Sequence, residues 1–414
     1  MEEKIKNNLR HPAQLEKLYR ENKSDFKHTF MRLFPSVSED LVAQTWHARL
    51  HGENPGLSVG KPNELFVVLI LSLASWLIAK TPAFTGLKED IFYPRNIGFI
   101  VFPALCVYFI WKQSILFRKI ILPYLLIVLS AAYMNVLPSV TGSDSLLLTF
   151  IHFPLCLWSL TGYIYSGADI HNLKGRLLFL RYNGDVIVMA TIILLAGGLM
   201  TGLTIQLFSF IQLDIKKFYV DYIVVWGLAG APVIATFLVS NNPQLVARVS
   251  PTIAKIFTPL VLVTLVVYLF AMIFNGKDPY QDREFLLVFN AVLVGVLALI
   301  LFSIAEKSGQ QHPTFSLWLL WVLSLVTIVV NGIALSAILF RIHSWGLTAN
   351  RLAVLGGNVL ILLNLLLVSY HLLRSLRRAS PIDTVENSIA RYLPVYSIWT
   401  MVVAFVFPWV FHFK

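Results

Sequence analysis

From Glu64 to Phe413, apolar runs of about twenty residues alternate with short polar breaks, and this rhythm fixes the solvent of most of the chain. A helix needs ~20 apolar residues to cross the ~30 Å hydrocarbon core of a bilayer. In lipid, only helices and closed barrels satisfy all of their own backbone N–H and C=O groups. The runs lie at about 64–80, 96–112, 120–138, 145–166, 185–211, 219–241, 253–274, 284–304, 316–342, 350–373 and 393–412. They predict an all-α polytopic membrane protein with about eleven transmembrane helices. The run 185–211 is long for one crossing and is expected to tilt or project.

The composition agrees: with 57% hydrophobic and 13% charged residues, a water-soluble surface would have too little polar cover. A net charge of +11 in a soluble protein would raise nucleic acid as a partner. Here the basic residues sit in short segments between apolar runs, so membrane lipids with anionic headgroups are the expected counter-charge and nucleic acid is not. Cys106 and Cys156 both lie inside apolar runs and read as small core residues. Neither a disulfide framework nor a thiolate metal cluster follows from two such cysteines, and no cofactor is expected.

Residues 1–61 read as a small soluble helical head and 62–414 as the transmembrane helical body. In the head, apolar residues recur at helical spacing: Leu15, Leu18 and Tyr19, then Phe26, Phe30, Leu33 and Phe34, then Leu41, Val42, Trp46 and Leu50. Three short helices are expected. Pro12 suits a first helical turn, and Ser36 with Glu39 has the spacing of a capping box. No secretory signal is read in this charged stretch. About sixty residues make a marginal core, so the head is expected to lean on the body, on a cytoplasmic protein partner or on another copy of itself.

Lysine and arginine set the orientation, because cytoplasmic loops retain them. With the head inside, the cytoplasmic segments hold 23 of the 33 and the outer side holds ten. This predicts a cytoplasmic N-terminus and an external C-terminus.

All 22 acids lie in the head, in loops or at span ends, so the mid-membrane carboxylate of many coupled carriers is absent from the pattern. His152 is the one clear intramembrane ionisable side chain, followed by Pro154; it reads as a ligand contact or as a neutral imidazole hydrogen-bonded to a neighbouring helix. Asn331, Asn358 and Asn364 come from consecutive spans and could line a polar cavity or join helices, since an unpaired amide in hydrocarbon is costly. Gly198 and Gly202 form a G-x-x-x-G, and Gly227 and Gly230 precede Pro232; close helix packing is the expected use.

The turn RIHSWGLTANR is the sharpest candidate site. Gly346 suits the end of one helix and Thr348 the cap of the next, with Arg351 in its first turn, where backbone N–H groups attract anions. Arg341 and His343 opposite would complete a basic notch for phosphate, carboxylate or a lipid headgroup. The alternative is that both arginines reach headgroups or pair with outer-loop acids.

No H-E-x-x-H, G-x-S-x-G, Walker glycine loop or C-x-x-C is present, which leans away from an enzyme. LEKLYRENKSDF and TWHARL in the head, RYNGD before the fifth span, DPYQDREFLLVFN entering the eighth and GLTANR before the tenth resemble a bacterial family of polytopic inner-membrane proteins catalogued as a domain of unknown function. The resemblance runs over nearly the whole chain and implies a bacterial inner-membrane location, and it brings no catalytic or binding residues. The expected function is binding or movement of a small anionic or lipidic solute, with the amides along the route and Arg341 and Arg351 at its outer mouth. The alternatives are a non-transporting sensor or assembly module and a lipid-modifying enzyme.

Overall fold

The computed structural model describes residues 2–9, 11–21, 23–52, 62–243, 249–274, 280, 283–306, 314–378 and 380–414. The chain separates into two compact units, residues 1–58 and 59–414.

The first unit contains α1 (Glu2–Asn7), α2 (Pro12–Glu21), α3 (Lys23–Leu33) and α4 (Leu41–Gly52). Where three helices are expected, α1 is a fourth: Ile5 and Leu9 are buried with the other core residues, so even this short segment has an apolar face to hide. Pro12 does begin α2. The cap of α4 is Asp40, whose Oδ1 accepts from the N–H groups of Val42 and Ala43 at 2.8 and 3.1 Å. Ser36 is occupied in the preceding turn, donating its hydroxyl to Leu33 O at 2.7 Å, which is why the S-x-x-E pattern does not form the cap. Trp46 is 6% exposed at the centre of the unit, its ring 5.5 Å from Tyr19 and 5.1 Å from Phe26.

Among its described residues the second unit is built of helices joined by short links, with no strand. Its helices are α5 (Pro62–Thr85), α6 (Glu89–Gln113), α7 (Phe117–Val136), α8 (Asp144–Tyr165), α9 (Leu173–Phe210), α10 (Lys216–Asn241, with a π turn at Tyr219–Val224), α11 (Val249–Phe274), α12 (Arg283–Ala305), α13 (Thr314–Trp345), α14 (Ala349–Leu376), α15 (Asp383–Phe405) and a terminal turn, α16 (Phe407–Val410). Among the described residues, nine of these are long and apolar enough to cross a membrane. Shorter apolar stretches, Lys255–Phe270 and Phe289–Ala305, lie within α11 and α12. The outward leucines, isoleucines and phenylalanines of these helices would be untenable in water and are ordinary in lipid.

Polar side chains cap three of the helices. Ser143 Oγ accepts from Leu146 N–H before α8, Asn172 Oδ1 from Gly175 N–H before α9 and Thr348 Oγ1 from Arg351 N–H before α14. One apolar core joins α9 and α11 to α15 around Ile300, Leu323, Leu365 and Ile389. A second joins α5, α6, α8, α9 and α10 around Val68, Tyr108, Ile164 and Val233.

Close packing uses glycines other than those of the G-x-x-x-G. A Cβ on Gly184 would meet Phe302 at 1.9 Å, and one on Gly356 would meet Trp399 at 2.0 Å. Among the described residues, Gly198, Gly202 and Gly227 have nothing within 4 Å, so the packing expected of them is not made there, whereas Gly230 does abut Ser72. The long run at 185–211 is only the second part of α9, a 38-residue helix, about 57 Å at 1.5 Å per residue. Its buried residues, Gly175 to Met189, all lie in the first half.

Candidate functional site

Among the described residues, the hydrogen bonds that tie α7 to neighbouring helices all lie near one end. Near its C-terminus, Asn135 and Asn96 exchange amide hydrogen bonds at 3.0 Å each way, Arg95 donates to Asn135 O and Pro138 O, and Tyr133 OH reaches Ala404 O. Toward its N-terminus no such bond to a neighbouring helix appears among the described residues, and Phe117, Leu122, Tyr124 and Leu125 are exposed. The space left between α7, α8 and α15 is a cleft of about 500 Å³, within the ~300–1,000 Å³ range of ligand pockets.

Its walls are Leu122, Leu126, Leu157, Ile398 and Met401, with Phe153 and Phe405, ring centres 6.1 Å apart, at the end of the lining far from Arg176. The few polar groups in the shaft satisfy one another or the backbone. Ser159 donates to Leu155 O at 2.9 Å and accepts from Ser397 Oγ at 3.0 Å, and the Cys156 thiol meets Thr400 Oγ1 at 3.6 Å. The Ser159 and Ser397 hydroxyls and the Cys156 thiol are thus engaged, and the remaining walls are largely apolar, which suits hydrocarbon.

The opposite end is polar. Ser166, Asp169 and Arg176 line it, and Arg176 donates to Ala390 O at 2.9 Å and to Ile170 O, which ties the start of α9 to α15. Lys119 precedes Leu122 and Pro123 by one turn of α7, and Arg391 precedes Pro394 by one turn of α15, so each lies on the cleft-lining face of its helix.

The residues expected to form a site lie elsewhere and fall into separate groups. At the hairpin of α13 and α14, Gly346 has φ +78° and ends α13, and Thr348 caps α14. Arg351 donates to Trp345 O at 2.9 Å and Gly346 O at 2.6 Å, taking up carbonyls left open at the end of α13. Arg341 donates from Nε to Tyr280 O at 3.0 Å. Both guanidinium groups flank the Trp345 ring, at 5.5 and 5.8 Å from its centre, and His343 is exposed. The Trp345 indole thus lies against both guanidinium groups, and the two carbonyls at the end of α13 take up donors of Arg351.

The amides divide. Asn331 donates to Asn358 O at 3.1 Å and Asn358 to Asn290 Oδ1 at 2.7 Å, crossing α13, α14 and α12, while Asn364 donates to Tyr396 OH at 2.9 Å on α15. His152 Nδ1 lies 2.8 Å from Leu148 O of its own helix. These contacts join helices or close on their own turn.

Two ionic clusters could not be read from the sequence. Glu64 Oε1 accepts from Tyr108 OH, Lys112 Nζ and Asn241 Nδ2 at 2.8, 2.8 and 2.9 Å, tying α5, α6 and α10. Arg181 lies 4.0 Å from Asp185 and 3.5 Å from Glu306, tying α9 to α12. Only RYNGD, which holds Arg181 and Asp185, stood out beforehand. Among the described residues no three His, Cys, Asp or Glu side chains converge as metal ligands would.

Comparison with family models, with curated proteins and with solved structures finds no match.

Proposed function

We propose that the chain is a bacterial inner-membrane protein of eleven spans, head cytoplasmic and C-terminus external, that binds a lipidic solute in the cleft between α7, α8 and α15. The observation that carries this reading is the cleft itself. It is long and almost wholly apolar, its serines and Cys156 are hydrogen-bonded, and it is bordered by a helix whose described hydrogen bonds to neighbouring helices lie near one end. In a bilayer such a space is bathed in acyl chains, and a walled cleft holds one of them in a defined place. The amides and the Arg341–Arg351 hairpin support the helical frame around it. Of the expected solutes, the lipidic one is favoured, because the hairpin arginines already spend donors on their own backbone.

The test is lipid retention. Ile398 lines the cleft and is 58% exposed, so a larger ring there fills the groove without entering the core. Protein extracted in mild detergent is expected to carry co-purified lipid by native mass spectrometry, and Ile398→Trp is expected to lose it. Equal retention by both proteins would overturn the reading.

A further inference from the structure

Resting on that reading, we infer that the ligand is an anionic phospholipid of the leaflet on the Arg176 side, with one acyl chain in the shaft and its phosphate among Lys119, Arg176 and Arg391.

Length is the first argument. On α8 the cleft runs from Tyr163 to Phe153, and on α15 from Leu393 to Phe405. Ten to twelve residues of helix rise about 15–18 Å, roughly half of the ~30 Å hydrocarbon core. The shaft therefore has the depth of one leaflet and is stopped by Phe153 and Phe405 near the midplane. A through-channel would need twice that length. A chain of one leaflet fits it end to end and leaves its headgroup at the mouth.

Charge is the second. Along α15, Arg391, Pro394, Ile398, Met401 and Phe405 follow at helical spacing, so one face changes from cation to hydrocarbon in a single turn. On α7, Lys119, Leu122, Leu126 and Ser130 repeat the pattern. Lys119 and Arg391 are exposed, whereas Arg176 is half-buried and held by its two carbonyl contacts. A guanidinium carries five N–H donors, and those contacts use two of them. Against these three cations stands Asp169 in the lining, whose Oδ1 accepts from the N–H of His171 at 2.8 Å. The mouth is left with a positive balance. A phosphodiester with no compensating amine complements it better than a zwitterionic headgroup does, and a long reach from two exposed side chains suits a ligand arriving sideways from the bilayer.

The experiment uses the full chain in detergent, titrated separately with phosphatidylglycerol and phosphatidylcholine of identical acyl chains and with glycerol 3-phosphate, bound species being counted by native mass spectrometry. Wild type is expected to bind phosphatidylglycerol several-fold better than phosphatidylcholine and glycerol 3-phosphate not at all. The Lys119→Gln/Arg391→Gln variant is expected to bind both lipids alike, while Lys88→Gln keeps the preference. Ile398→Trp is expected to bind neither lipid. If wild type shows no preference, or the double variant keeps it, the headgroup assignment is wrong while the cleft stands. If Ile398→Trp binds both lipids like wild type, the cleft is not the site. Binding of glycerol 3-phosphate as tightly as the lipid would make the ligand a free anion and overturn the acyl-chain assignment. Thermal unfolding of each variant separates lost binding from lost folding; should Ile398→Trp unfold, Met401→Phe fills the same shaft.

Discussion

Glu64 and Lys112 meet at 2.8 Å, joining the first turn of α5 to the last turn of α6, with Asn241 of α10 on the same carboxylate oxygen. Glu64 is buried, and the Lys112 side chain is 30% exposed. Removing one member of such a pair strands the other, whereas removing both does not. Glu64→Ala is expected to lower stability by about 2 kcal/mol, reduced from a fully buried pair because Lys112 retains some water. The Glu64→Gln/Lys112→Gln double variant should be more stable than the two single changes added together, measured as thermal unfolding in detergent. Strict additivity would mean that the two side chains do not support one another.

Gly356 and Gly357 provide a matched pair on α14. A methyl group on Gly356 would lie 2.0 Å from Cζ2 of Trp399, while on Gly357 it would come no nearer than 4.0 Å to that indole. Gly356→Ala is therefore expected to destabilise by about 2 kcal/mol through overpacking. Gly357→Ala should be neutral or slightly stabilising, because alanine is the better helix former. Equal melting temperatures for the two variants would show that α14 and α15 are less tightly packed than described.

In the head, Trp46 packs on Tyr19 and Phe26 and carries the Arg49 guanidinium at 4.6 Å from its ring. Trp46→Ala is expected to cost about 3–5 kcal/mol, which for so small a core is enough to unfold the unit. Limited proteolysis of the full chain should then cut within residues 2–52 while the rest stays intact. An unchanged digestion pattern would count against this core.

The orientation has its own check. Reporter fusions after Ser166 and after Phe413 are expected to report opposite sides, cytoplasmic and external. Both on one side would contradict the span count, the orientation or both.

The positions of the long helices were legible because bilayer thickness imposes a length on every crossing. Gly346 and Thr348 were legible for a local reason: each performs its capping role within its own turn. Capping also failed locally: the S-x-x-E spacing pointed to Ser36, whereas Ser36 bonds within the preceding turn and Asp40 takes the cap. The cleft was not legible. In lipid, the face of α7 that lines it and the face that meets the bilayer are equally apolar, so no polarity contrast marks the wall. The Glu64 cluster was hidden by distance, with partners 48 and 177 residues away.

The length of α9 determines what reagents in water can reach. The ring of Tyr182 lies 5.0 Å from that of Tyr165, the last residue of α8, and in the proposed topology the end of α8 is one border of the apolar layer. From Tyr182 the helix continues to Phe210, a rise of about 42 Å. Even leaning at ~40°, the steep end of observed inclinations, it would still cover roughly 32 Å, more than the ~30 Å it has to traverse. In that topology the link from Gln212 to Ile215, in which Asp214 is exposed, is expected to stand clear of the hydrocarbon at any ordinary inclination. A membrane-impermeant thiol label directed to a cysteine placed there would be addressed from the aqueous phase alone.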